Sequence, residues 1–454
     1  MDLGKYDWRL VLTIATLSML LQNTFSYVCQ ITMPILADRI AENYDISRAW
    51  LGLYLFIQNI ASIITAMCCG GYILRYGAVR ISQWALLMMG GSLIIISLKM
   101  IWLYPIGAIL LGLGGVLTPA SSHLLARVCP PKISALIFSI KQTGVPLGSL
   151  VGGLLIPFLL SVSVYISSVK TSVHVDAFGA AFITALLVYI IVLILQPVRE
   201  YFDSDRQQNV KISFSNVTYT MKNVISNPEL RDLAFGSFSF GGLQSIFAGF
   251  FILFLIDGLG FSEIEAGKAF AISSFTAVGA RILWGYIGSV YLSARIVLGF
   301  IGIFAGIAAI LTGFYDESWS YTLIISIAIL YNVTALSWHG ILLAEIARLT
   351  SRETVASTTG GVLAFTSIAM MTYPAMYGIL LAITDSYSTG FILLSIPSFI
   401  GGIILLRRPN GSSWMGNIRK LLSYFSSLKN IFYASVAVMI GVILGLFLAF
   451  INIW

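Results

Sequence analysis

Charge is what this sequence has least of. Only 10% of its 454 residues are Asp, Glu, Lys or Arg, against roughly a quarter in soluble domains. Hydrophobic residues make up 58% of the chain, and its mean hydropathy is +0.92. A water-soluble globule has no way to hide that much apolar surface, so lipid is the expected solvent for most of the chain. Cysteine is scarce too. Cys29, Cys68, Cys69 and Cys129 show neither metal-ligand spacing nor the density of a disulfide framework, and read as buried thiols. No Gly-x-x-x-x-Gly-Lys-Ser/Thr loop is present, so nucleotide hydrolysis is excluded as the driving force. No nucleophile, base and orienting group stand at useful spacing, so no catalytic residue, metal or cofactor is expected. No small-residue cleavage site precedes the first apolar run, which reads as a retained anchor.

What is there is a succession of apolar runs. At about 20 residues per bilayer crossing, the expected spans are 9–33, 48–74, 79–98, 102–126, 135–160, 177–197, 232–256, 265–289, 294–314, 320–346, 355–382 and 387–406. A thirteenth run, 431–453, follows a basic stretch. With the N-terminus in the cytoplasm, nineteen of the 26 Lys and Arg fall in or beside cytoplasmic segments. Arg39, Arg48, Lys99, Lys170 and Lys268 fall outside, and Lys141 and Arg281 lie within spans. That bias fixes the expected orientation and points to a bacterial inner membrane. It also removes nucleic acid as a reading of the net charge of +7; the partners are the lipid bilayer and a small molecule.

A polar stretch of about 35 residues, 197–231, divides twelve spans into six plus six. The halves align at a nearly constant offset of 215 to 217 residues. Gly52 matches Gly267, Gly70 matches Gly285, Arg80 matches Arg295, His123 matches His339 and Pro157 matches Pro374. Gln22 matches Gln244 at an offset of 222. The expected architecture is an all-α membrane protein with two pseudo-symmetric six-helix bundles, 1–197 and 232–406. A cytoplasmic linker, 198–231, joins them, and 407–454 adds a basic segment with an extra C-terminal transmembrane helix. Val210 to Val224 of the linker carries apolar residues at partly helical spacing and is expected at the membrane surface. Ala437, Gly441 and Gly445 form a small-xxx-small ladder, so residues 437–445 are the expected contact of a homodimer.

Between the second and third spans stands Gly70-Gly71-Tyr72-Ile73-Leu74-Arg75-Tyr76-Gly77-Ala78-Val79-Arg80. It resembles the Gly-x-Leu-x-Asp-Arg-x-Gly-Arg loop of the major facilitator superfamily, with Leu74 at the acid's place. Gly144-Val145-Pro146-Leu147-Gly148 resembles that family's glycine-proline motif, and Ala280-Arg281-Ile282-Leu283-Trp284-Gly285 resembles its eighth span. Asn227-Pro228-Glu229-Leu230-Arg231 before the seventh span fits as well. The resemblance covers residues 5–408. It implies a transporter working by alternating access, with spans 5 and 8 facing each other and spans 4 and 10 lining a central cavity.

Ionisable groups inside a membrane are costly and usually functional. No Asp or Glu lies deep in a span; Asp257 and Glu345 come closest, at helix ends. The buried set is Lys141, Arg281, His123 and His339. At a rise of 1.5 Å per residue, Lys141 lies about 9 Å and Arg281 about 12 Å from the cytoplasmic surface. Two like charges at one level repel unless an anion stands between them. A guanidinium binds a carboxylate bidentately while Lys acts as a point charge, and organic-anion members of the resembled family carry an Arg in span 8. The bland alternatives are that Arg281 caps backbone carbonyls or snorkels to the interface. Gln22, Asn23 and Gln244 sit near mid-span as cavity groups or as interhelical glue, with Tyr331 and Asn332 as weaker candidates. Pro119, Pro146, Pro157 and Pro374 read as kinks. The expected substrate site is Lys141, Arg281, His339, His123, Gln22 and Gln244, taking a small organic anion such as a carboxylate. Efflux of hydrophobic or cationic compounds is the first alternative, though the spans offer no acid for a cation. A non-transporting receptor or scaffold on the same fold is the second.

Overall fold

The computed structural model describes residues 7–46, 50–166, 171–204, 206 and 215–407 of the chain. Among the described residues, twelve helical segments are long and apolar enough to cross a membrane. Numbered in chain order they are span 1 (Trp8–Tyr44), span 2 (Trp50–Tyr76), span 3 (Ala78–Ser97), span 4 (Ile101–Val128), span 5 (Pro131–Ser161) and span 6 (Ala177–Ile194). The second half holds span 7 (Pro228–Gly258), span 8 (Glu263–Val290), span 9 (Ala294–Gly313), span 10 (Tyr321–Leu349), span 11 (Val355–Thr384) and span 12 (Tyr387–Leu406). This is an integral multi-pass membrane protein. The thirteenth run at 431–453, the basic segment before it and the 437–445 ladder lie outside the described residues.

Spans begin where the sequence supplies a capping oxygen. Asp176, Asn227, Ser262, Ser293 and Ser320 each accept from a backbone N–H of the first turn, and Ser262 with Glu265 closes a reciprocal capping box. Span 1 runs longer than hydropathy suggests. Asp38, Arg39 and Glu42 end the apolar run but not the helix, which continues to Tyr44. At 37 residues it is about 55 Å long, far more than the ~30 Å hydrocarbon core, so it projects beyond the bilayer. One short antiparallel hairpin, Ser163–Ile166 with Thr171–His174, departs from an all-helical fold. Its alternating Val, Tyr and Thr favour extended chain.

The two halves carry equivalent contacts. Span 1 is tied to span 4 by Gln22 Nε2, which donates to the Leu117 carbonyl at 3.0 Å. Span 10 is tied to span 7 by the Tyr331 hydroxyl, which donates to the Leu243 carbonyl at 2.9 Å. Leu243 is the repeat mate of Leu21, so both ties fall at one level of the pseudo-symmetric bundle.

Close approach between the halves is concentrated at the end bearing the N-terminus. Span 2 packs on span 11, and span 5 packs on spans 8 and 10. Glycine makes this possible. A Cβ on Gly360 would overlap the Ala66 carbonyl, and one on Gly340 would overlap the backbone of Ser139. Gly285 faces the same serine, its added Cβ 2.5 Å from the Ser139 Cβ. The Leu136 N–H donates to Ser289 Oγ at 2.9 Å across this seam.

The stretch after span 6 contributes twice. Asp203 is buried and accepts from the N–H groups of Val79 (3.0 Å) and Arg80 (2.8 Å) at the start of span 3. The loop between spans 2 and 3 lacks its own acid at Leu74, and a carboxylate more than a hundred residues away caps the helix that follows it. The Ser215–Ser226 helix turns Thr220 and Val224 inward and leaves Tyr219 exposed. Thr220 and Val224 rest against Gly361 of span 11, and the helix also touches span 2. It therefore lies across the seam between the halves.

Candidate functional site

Three of the spans around the centre are broken. Span 4 passes through a tight turn at Leu113–Val116, span 5 is interrupted at Thr143, and span 10 at Leu336–Trp338. The cause in span 5 is readable from the sequence. In a continuous helix the Gln142 carbonyl accepts from the N–H of residue 146, but residue 146 is proline and has none. A break buried in the bundle leaves a carbonyl that something must satisfy.

Arg281 satisfies it. Its Nη1 donates to the Gln142 carbonyl, while Nε (3.1 Å) and Nη2 (2.8 Å) both donate to the Leu336 carbonyl at the break in span 10. Trp284, one turn further along span 8, donates through Nε1 to the Val333 carbonyl at 2.8 Å. Gly285, on the same helical face, admits Ser139 of span 5. The Arg281–Trp284–Gly285 pattern thus joins span 8 to the broken spans 5 and 10. The carbonyl-capping reading of Arg281 is realised, yet the guanidinium has five N–H donors and these bonds take three. Arg281 is 4% exposed and lines a central cavity of about 290 Å³.

The cavity draws on eight spans. Asn23, Ser26, Tyr27 and Gln30 come from span 1, and Gln58, Asn59 and Ser62 from span 2. Thr118 comes from span 4, Gln142 from span 5, Gln244 from span 7, His339 from span 10, and Thr366 and Ser367 from span 11. Arg281 comes from span 8; among the described residues it is the only Lys or Arg on this wall, and no Asp or Glu stands on it.

The expected site residues are therefore distributed unevenly. Arg281, His339 and Gln244 line one cavity. His339 opens the helix after the break in span 10, its ring stacked 3.9 Å from that of Trp338. Lys141 is fully buried beside the cavity rather than on its wall; its Nζ donates to Gln142 Oε1 at 3.2 Å. Neighbouring helix positions point about 100° apart, so Gln142 faces inward and Lys141 stands behind it. Among the described residues no carboxylate pairs with Lys141 or Arg281. Gln22 is wholly buried, tying span 1 to span 4. His123 lies off the cavity wall, one turn from Arg127. Asn23 does reach the cavity, with Nδ2 donating to Gln142 Oε1 at 3.1 Å. Tyr331 and Asn332 are buried in the C-terminal half, bonded to backbone carbonyls.

Sequence reasoning passed over Gln58, Asn59 and Gln142. The criterion that selected Gln22 and Gln244, an uncharged amide near mid-span, also selects the adjacent Gln58 and Asn59. Gln142 was hidden by the charge beside it.

A family model described as Major Facilitator Superfamily matches residues 14–344. No curated protein matches the chain. Among solved structures, the human organic anion transporter TETRAN superposes with a TM-score of 0.67 at 15% identity, covering 88% of this chain and 100% of its own. A bacterial homologue of the iron transporter ferroportin, in an outward-facing state, gives 0.71 at 12% identity, with 87% and 98% covered. The fucose:proton symporter of E. coli gives 0.66 at 14% identity, with 88% and 97% covered. At these identities the likeness is one of fold.

Proposed function

We propose, for a chain that belongs to the Major Facilitator Superfamily, that the molecule moved across the membrane is a small organic anion, a carboxylate. The single observation that carries the reading is the charge on the cavity wall: Arg281 is there with N–H donors to spare, and no acid among the described residues faces it. A buried cation without a counter-ion is costly, and an anionic substrate removes that cost while bound. Lys141 adds positive potential from behind Gln142. His339 offers a ring nitrogen to the same space.

Transport proceeds by rocking residues 1–197 against 232–406. The glycine-lined seam closes the end that bears the N-terminus, so substrate enters this state from the opposite end. With the N-terminus cytoplasmic, as the basic bias indicates, this is the outward-facing state. Opening the other way separates the cytoplasmic ends of spans 5 and 8, which requires the Arg281–Gln142 bond to break.

The test is a thermal-shift screen of purified protein against small carboxylates and small amines. Carboxylates raise the melting temperature of the wild type. Arg281→Lys, which keeps a cation but loses the planar fork, loses most of that response, and Lys141→Met weakens it less. Amines give no shift. Equal stabilisation of wild type and Arg281→Lys by the same carboxylates would remove Arg281 from the site.

A further inference from the structure

The cavity wall carries one amide whose direction is fixed from behind. A glutamine amide ordinarily turns either its oxygen or its NH2 group to a neighbour, since the two ends are alike in shape. Gln142 has no such choice. Lys141 Nζ donates to its Oε1 at 3.2 Å, and Asn23 Nδ2 donates to the same atom at 3.1 Å. An ammonium has three N–H donors and no acceptor, so it meets only the oxygen end. Asn23 is itself oriented, because its Nδ2 also faces the Lys141 carbonyl at 3.4 Å. Turning the Gln142 amide over would set its NH2 group against two donors.

What is left for the cavity is the Nε2 end. Gln142 is 3% exposed and lines the cavity. Among the described residues its Nε2 gives no hydrogen bond. Its backbone carbonyl, meanwhile, accepts from Arg281 Nη1, which keeps guanidinium and amide adjacent. Two sets of donors therefore serve one space. The unused N–H groups of Arg281 come from the C-terminal half, and Nε2 of Gln142 comes from the N-terminal half. Such a pair suits a group that carries acceptors only. A carboxylate is one; an ammonium would meet donors on both sides.

We infer that Gln142 binds the substrate, donating from Nε2 to the carboxylate that Arg281 holds, and that Lys141 is a positioning residue which locks this amide. The inference rests on the carboxylate reading above and assigns it a second donor. It also gives Lys141 a task that needs no contact with substrate, as its place behind the wall requires. Asn23 belongs to the same lock, from span 1. A carboxylate held in this way bridges the two halves that rock against each other, since one donor belongs to each.

The experiment is isothermal titration of the full-length protein in detergent with acetate, butyrate, succinate and benzoate. At least one binds the wild type at millimolar concentration, and Arg281→Lys loses it. Gln142→Leu weakens the tightest binder by about tenfold or more, as expected for one hydrogen bond to a charged group. Lys141→Met weakens it too, but adds little in the Gln142→Leu background, where the lock has no amide to hold. Gln142→Glu guards against misfolding. It keeps an oxygen for Lys141 and Asn23, so its melting temperature is no lower than that of the wild type. It has no N–H to give, and it loses the carboxylates. Wild-type affinity in either Gln142 variant, with Arg281→Lys still defective, overturns the inference and leaves the carboxylate reading standing. Unfolding of Gln142→Glu contradicts the lock. A Lys141→Met loss as large with Gln142→Leu as without it overturns the positioning role. No binding of any probe at millimolar concentration, or equal binding by wild type and Arg281→Lys, overturns the carboxylate reading and the inference with it.

Discussion

Arg281 of the C-terminal half donates a hydrogen bond to the carbonyl of Gln142 in the N-terminal half, because Pro146 has no N–H to give it. One missing backbone donor therefore creates a link between the halves and fixes the guanidinium at the cavity wall. The same guanidinium holds the Leu336 carbonyl at the break in span 10. In the proposed function, substrate binding and closure of the seam meet on this one side chain.

Replacing that proline tests the link. Pro146→Ala supplies the missing N–H and lets span 5 run on through Thr143. The helix gains an interior bond where proline in a helix costs about 3 kcal/mol, so the melting temperature rises. Arg281 loses its partner across the seam, and the transport rate falls several-fold. Differential scanning fluorimetry and uptake into proteoliposomes measure the two effects, and the account requires them to move in opposite directions.

The glycine seam makes a second prediction. Gly360→Ala places a methyl where the Ala66 carbonyl oxygen already stands, so spans 2 and 11 cannot close and the protein shifts toward the state open at the N-terminal end. A maleimide on a cysteine introduced at Ser357, beside Gly70, then reacts faster from the side that bears the N-terminus than in the parent. Gly378→Ala, on the same helix with nothing within 4 Å, leaves the reaction rate unchanged.

Asp203 predicts a stability effect far from the cavity. Asp203→Ala removes the acceptor from the first N–H groups of span 3 and lowers stability by about 1 kcal/mol, within the usual range for a lost N-cap. Gly77→Ala is worse. Gly77 has φ +96°, and its Cβ would run into the Asp203 carboxylate. Chemical denaturation in detergent ranks the pair, with Gly77→Ala unfolding first.

Arg295 and Asp232 supply a fourth prediction. Arg295 is 8% exposed and donates to Asp232 at 2.6 Å, joining the starts of spans 9 and 7. Asp232→Ala leaves a buried cation without its carboxylate, at a cost of roughly 3–5 kcal/mol. The double variant Asp232→Ala with Arg295→Met recovers much of that loss in the same denaturation assay.

The bundle was legible because lipid imposes a simple rule: each crossing needs its own long apolar run, and twelve such runs stand between the N-terminus and Leu406. Arg281 was legible for the converse reason, since a guanidinium inside such a run is rare enough to notice. Its partners were not. That Gln142 and Leu336 would present free carbonyls depends on where spans 5 and 10 break and which way they face. Pro146 hinted at one break; nothing in the run around Leu336 announces the other. Lys141 shows how fine the margin is. One residue of helical rotation puts Gln142 on the wall and the lysine behind it, and hydropathy carries no information on that rotation. Asp203 was unreadable as a cap because its partners lie across more than a hundred residues of chain.

Counterflow in proteoliposomes tests the central claim most directly. Vesicles preloaded with an unlabelled carboxylate that stabilises the protein in the thermal-shift screen are diluted into the same carboxylate carrying a label, for the wild type and for Arg281→Lys matched by size-exclusion profile. The wild type accumulates label in a saturable, transiently overshooting manner, and the variant's initial rate is lower by on the order of a hundredfold, the cost of disturbing a buried charge pair. Equal initial rates in the two proteins, or accumulation of a labelled amine in place of the carboxylate, would contradict it.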